Sequence, residues 1–177
     1  MEQKKRNIIL IGFMGSGKTS VGIRLSYRLK RTFLDTDKQI ERKQGRSISD
    51  IFAREGEQAF RQMETDYLKE LLTMEGEQIF SVGGGTPLKE ENRGLLRQLG
   101  KVVYLQASPE EVYERLKGDT TRPLLQTPDA RSRIEELLSS RRKYYEAAAD
   151  MTVCVDGKAV EEVVEVIAEA LEKENKL

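Results

Sequence analysis

The chain has no histidine and a single cysteine, Cys154, among 177 residues. Without histidine there is no Ser-His-Asp triad, no imidazole metal ligand and no imidazole acid or base, so any base must be a carboxylate, Lys, Tyr or water. One cysteine excludes an intramolecular disulfide framework. Net charge is missing too: 30 Lys and Arg balance 30 Asp and Glu. A balanced chain has no global field to hold a polyanion, so no nucleic-acid partner is expected, and any bound anion must be held by local charges. Long apolar runs are absent. Ile8 to Ile11 ends at Gly12 and Lys18 follows soon after. That is too short for a secretory signal, and nothing approaches the ~20 apolar residues of a membrane span. A cytoplasmic protein with no membrane partner is expected.

What is present suits one packed domain over residues 1–177, with 38% apolar and 34% charged residues. No repeat and no linker stands out. Short apolar runs alternate with longer amphipathic ones. The runs predict strands at Asn7–Ile11, Thr32–Leu34, Gln78–Val82, Lys101–Gln106 and Met151–Val155. Helices are predicted at 18–30, 38–44, 47–74 with a break near Gly56, 89–98, after Ser108-Pro109, after Thr127-Pro128-Asp129, and from Val160 on. Ser47 and Asp50 have capping-box spacing. Cys154, in the last strand, reads as a small core residue. Five strands separated by helices imply an α/β fold with a mainly parallel sheet covered on both faces. Ligands of such sheets bind beyond the carboxyl ends of the strands, where three of the five strands run into Gly- or Asp-rich segments.

Gly12-Phe13-Met14-Gly15-Ser16-Gly17-Lys18-Thr19 fits G-x-x-x-x-G-K-[ST] without a mismatch, between a buried strand and a helix. The glycines let several backbone N–H groups face one phosphate, and the helix adds its positive end. Lys18 should reach the outer phosphates and the Thr19 hydroxyl should ligate Mg²⁺. An Asn-Lys-x-Asp guanine motif and a Leu-Ser-Gly-Gly-Gln transporter motif are both absent, which leaves a small kinase. Other small-molecule kinases, or an ATP-binding module without turnover, remain alternatives on these residues.

On the acceptor side, Asp35-Thr36-Asp37 places two carboxylates two residues apart on a segment read as extended, pointing the same way. One would orient Mg²⁺ and its waters and the other the acceptor hydroxyl; a solvated turn with a helix cap at Asp37 is the alternative. Gly83-Gly84-Gly85 makes sense if a ligand approaches the backbone closely. Arg61, with Glu64 three residues on, Arg122 before Pro123, and Arg141 are candidate anion clamps, or surface residues.

Taken together, these pieces resemble shikimate kinase over most of the chain. The pieces are Gly15 to Thr19, Asp35-Thr36-Asp37, Gly45 to Phe52, Gly56-Glu57 with Phe60-Arg61 and Glu64, Gly83 to Gly85, Thr121 to Leu125, and Arg141 with Tyr145. The resemblance implies a P-loop, nucleoside-monophosphate-kinase-like fold with strand order 2-3-1-4-5. It implies ATP-dependent phosphorylation of the 3-hydroxyl of shikimate, for aromatic amino-acid synthesis, by a monomer. Gly15, Ser16, Gly17, Lys18, Thr19 and Ser20 then resemble the ATP-phosphate contacts, with Thr19 on Mg²⁺ directly and Asp35 through water. Asp37 resembles the shikimate hydroxyl ligand and base. Arg61, Arg141 and the Gly83-Gly84-Gly85 backbone resemble the grip on the substrate. Arg115 resembles the residue stacked on adenine. Arg122 resembles the arginine of a lid at about 117–127.

Overall fold

The computed structural model describes residues 6–119 and 126–176. Its centre is β1 (Asn7–Ile11), in which all five residues are buried. A strand that is apolar on both faces can only sit inside a parallel sheet. The other strands are β2 (Thr32–Asp35), β3 (Gln78–Ser81), β4 (Gly100–Gln106) and β5 (Met151–Cys154), all parallel, in the order β2-β3-β1-β4-β5. The run pattern predicts five mainly parallel strands, and the order is the one the resemblance implies.

Asn7 is the one polar residue of β1, and the sheet explains it. Its Nδ2 donates to Leu99 O at 3.0 Å, and its Oδ1 accepts from Gln78 N at 2.9 Å. The side chain thereby joins the starts of β3 and β4 to the central strand.

The helices are α1 (Lys18–Leu29), α2 (Thr36–Gln44), α3 (Ile48–Glu55), α4 (Glu57–Leu71), α5 (Glu90–Leu99), α6 (Pro109–Leu116), α7 (Ala130–Ala148) and α8 (Val160–Glu174). α1 and α8 pack on one another, and α5 and α7 pack on one another and on β4. Start signals hold at α3 and α6, where Ser47 and Ser108 accept from Asp50 N and Glu111 N. They do not hold at α7. That helix begins after Asp129, whose side chain makes no capping bond.

Two expectations are corrected. Cys154 is exposed, not core: β5 is one of the two edge strands and only Val153 of its four residues is buried. The second correction concerns Asp37. β2 runs without a loop into α2, so Asp35 is the cap, accepting from Lys38 N at 3.2 Å, and Asp37 stands in the first helical turn. Among the described residues, no helix is long and apolar enough to cross a membrane.

Candidate active site

The carboxyl ends of β1, β2 and β3 meet in one cleft of about 300 Å³. It is lined by Met14, Gly15, Gly17, Lys18, Thr19 and Ser20 on one side and by Asp35, Asp37 and Ser81 to Gly84 on the other. The cleft lies beyond the carboxyl ends of the parallel strands, where such sheets bind ligands.

The loop between β1 and α1 needs its glycines. Gly12, Gly15 and Gly17 have φ of 149°, 76° and 94°, which a side chain resists. A β-carbon at Gly12 would also lie 2.7 Å from Leu105 O and 2.8 Å from Ser16 Oγ. Ser16 N donates to Phe13 O at 3.1 Å and closes the curl. α1 then starts with no side-chain cap and no acidic residue in its first turn. An uncapped, acid-free helix start favours an anion. Lys18 Nζ donates to Gly12 O at 2.7 Å and Phe13 O at 3.0 Å, so the ammonium rests over the curl. Arg115 reaches the same loop from α6: Nη1 donates to Gly15 O at 3.4 Å while Nε donates to Glu111 Oε1 at 2.9 Å.

Across the cleft, Asp37 is the electrostatically strained group. Its Oδ1 is buried with no hydrogen-bond partner. Burial, first, and then the negative charges of Glu64 and Asp35 push its pKa up from 3.8 to about 7, against the opposing pull of Lys18 and Arg61. Glu64 is itself only 3% exposed. Its Oε2 accepts from Arg61 Nη1 at 2.8 Å and its Oε1 accepts from Thr86 Oγ1 at 2.8 Å.

The triple glycine fits among these groups because it has no side chains. A β-carbon at Gly83 would be 2.9 Å from Asp37 Oδ1 and 3.0 Å from Glu64 Oε1; one at Gly85 would be 2.5 Å from the Arg61 guanidinium nitrogens. At Gly84 a β-carbon would lie 3.6 Å from Arg141 Nη1, and the Arg141 guanidinium carbon is 5.5 Å from the centre of the Phe13 ring. Two arginines from α4 and α7 therefore converge on one glycine turn, beside a buried carboxylate and facing a phosphate loop. That arrangement can hold a small organic acid with one hydroxyl turned toward a terminal phosphate.

The structure brings together the expected phosphate-loop residues, Asp35, Asp37, Arg61, Gly83 to Gly85, Arg115 and Arg141. Arg122 and much of the expected lid lie outside the described residues. The sequence motifs assign no role to Thr86 or Asn92, and they include Tyr145 without a role of its own. Thr86 and Asn92 are polar residues 1% exposed and Tyr145 is 0% exposed. The polar residue directly after the glycine run was the signal for Thr86; nothing local marks Asn92 as buried.

Comparison with known proteins fits this geometry. The family model described as shikimate kinase matches residues 14–172. A shikimate kinase from Symbiobacterium thermophilum is 43% identical over 169 residues, covering 94% of this chain and 97% of the relative. One from Thermodesulfovibrio yellowstonii is 43% identical over 168 residues, covering 95% and 96%. Among solved structures, a shikimate kinase from Acinetobacter baumannii in complex with shikimate superposes with a TM-score of 0.88 at 39% identity, covering 98% of this chain and 96% of that one.

Proposed function

The chain belongs to the shikimate kinase family, and from that premise we propose how its own residues move the γ-phosphoryl group of ATP to the 3-hydroxyl of shikimate. The observation that carries the proposal is Asp37: a half-buried carboxylate whose Oδ1 is buried and unpartnered, with a pKa pushed up to about 7, in one cleft with Lys18 and the phosphate loop. Lys18 leaves the Gly12 and Phe13 carbonyls for the β- and γ-phosphates, and the backbone of Gly15 to Thr19, with Ser20, cups them. Arg61 and Arg141 hold the shikimate carboxylate against the Gly83-Gly84-Gly85 backbone. Asp37 Oδ1 accepts the hydrogen bond of the 3-hydroxyl. As the alcohol oxygen bonds to the γ-phosphorus, the bond to the bridging oxygen of ADP breaks and the hydroxyl proton passes to Asp37. A carboxylate near pKa 7 is matched to that transfer at neutral pH. Arg115 packs against the nucleotide base. Arg122 supplies further positive charge to the phosphates, an assignment that rests on its motif alone.

The donor set fits magnesium. Thr19 stands in the first turn of α1 on one wall of the cleft, Asp35 and Asp37 stand on the other, and Mg²⁺ takes few protein ligands beside phosphates and water. Thr19 would hold the ion directly and Asp35 through water; when bound, it neutralises charge on the phosphate oxygens. We also infer a cytoplasmic monomer, with no nucleic-acid or membrane partner, checked for mass by light scattering.

Magnesium and ATP with the purified chain should release ADP when shikimate is added and not with gluconate or AMP, and the product should be shikimate 3-phosphate. ADP release driven by gluconate or AMP in place of shikimate would overturn the assignment.

A further inference from the structure

The two arginines and the glycine turn come from three separate parts of the chain, and nothing in their own sequence fixes their spacing. Two buried hydroxyl groups do. Thr86 Oγ1 donates to Glu64 Oε1 at 2.8 Å, while the other oxygen of Glu64 takes Arg61 at 2.8 Å. With both oxygens engaged, the Glu64 carboxylate cannot rotate, and Arg61 is aimed. The link is doubled by the next side chains. Thr86 N donates to Gly83 O at 3.0 Å, and Thr86 O accepts from Asn92 Nδ2 at 3.0 Å. Asn92 Oδ1 accepts from Thr65 Oγ1 at 2.8 Å, and Thr65 follows Glu64 on α4. A closed ring of hydrogen bonds thus joins α4 to the turn. On the other flank, Tyr145 Oη donates to Gly84 O at 2.7 Å. Tyr145 lies one helical turn after Arg141 on α7. Its burial, opposed in part by Arg141, pushes the phenol up to about 12, so it remains a donor throughout the working range.

Glu64, Thr65, Thr86 and Asn92 are each 3% exposed or less. An apolar core of the same volume would fold at no greater cost, so stability alone does not account for this ring. We propose that Thr86 and Tyr145 are positioning residues for the acceptor: their hydroxyls pin the Gly83 to Gly85 turn between α4 and α7 and so set the distance and aim of Arg61 and Arg141. The proposal rests on the reading that these arginines and the turn hold shikimate. It goes beyond that reading in giving the fit of the acid to two hydroxyls that never touch it. The hydrogen bonds of Thr86 run to Glu64, Gly83 and Asn92, none of them in the phosphate loop, so the effect should fall mainly on the acid.

The test uses the full chain with Thr86→Val, Thr86→Ser and Tyr145→Phe, alongside Arg61→Ala and Arg141→Ala, and reads KM for each substrate, kcat and the unfolding midpoint. Thr86→Val and Tyr145→Phe should each raise shikimate KM about tenfold, the worth of one hydrogen bond to a charged or tightly held group. ATP KM should stay within about twofold, and Thr86→Ser should restore shikimate KM. If Thr86→Val does not fold, Tyr145→Phe carries the same test. An unchanged shikimate KM in both hydroxyl variants, or both substrates' KM rising together, overturns the proposal. If the arginine variants raise shikimate KM while the hydroxyl variants do not, only the positioning role has failed. If the arginine variants leave it unchanged, the reading beneath has failed and the positioning role falls with it.

Discussion

The two walls of the cleft are built by opposite means. On the proposed function, the phosphate wall is eight consecutive residues that offer backbone N–H groups, held by three positive-φ glycines and a helix start. The acceptor wall gathers side chains from β2 and α2, from α4 and from α7 around the glycine turn after β3, and it buries the Glu64 carboxylate and Asp37 Oδ1 to do so. Backbone recognition is local and carries little electrostatic strain. Side-chain recognition is dispersed and costs stability: an Asp with a pKa raised to about 7 binds its proton more tightly folded than unfolded. Above pH 7 that ionised group therefore works against the fold; the penalty fades as pH falls through 7 and is gone near the unfolded value of 3.8. Function and stability are opposed on one wall and aligned on the other.

The sharpest way to expose this contrast is Asp37→Asn. Turnover should fall about 10³-fold while ATP affinity by calorimetry is kept. The same variant should raise the unfolding midpoint at pH 8 by about 5 °C. Gly12→Ala, on the phosphate wall, should lower both ATP affinity and the midpoint; a rise in the midpoint there would break the comparison. Next in size, Arg122→Ala should lower kcat about 10²-fold, with a smaller change in shikimate KM by steady-state kinetics. Gly85→Ala should follow, since its β-carbon displaces the Arg61 guanidinium: shikimate KM rises about tenfold with ATP KM unchanged. The smallest effect is on pH. For the natural chain, kcat/KM for shikimate should decline as pH drops below about 7, the range in which Asp37 takes up its proton. Glu64→Gln removes a negative charge that holds this value up, so the acid limb should move to lower pH. A limb that stays in place or moves upward would show that Glu64 does not set it.

The same contrast explains what could be read from the chain alone. The phosphate loop was legible because its requirement is backbone conformation, which glycines write directly into consecutive positions. The sheet was legible because Ile8 to Ile11 and Val102 to Leu105 leave no polar face. Asp37 was singled out, but for a geometry the structure does not have: its position comes from a strand that enters a helix without a loop, and Thr36-Asp37 suits either conformation. Glu64 sits in a helix crowded with charges, Glu57, Arg61, Asp66 and Lys69, so its burial shows only once Thr86 and Arg61 are folded around it. Cys154 misled because an edge strand and a central one share the same apolar residue types. Asn92 and Tyr145 needed partners 27 and 61 residues away.

Leu10 of β1, Ser81 of β3 and Asp35 of β2 stand level with one another across the sheet, and Val82 N continues the ladder to Leu10 O at 3.2 Å. Neighbouring strands keep a fixed pitch of about 4.8 Å. The gap the phosphorus must cross is thus measured off by a ruler of amide bonds, with β3 as its middle mark. On the proposed function, changing the clasp on α4 or α7 should alter which alcohol is presented and leave the meeting point where the ruler puts it.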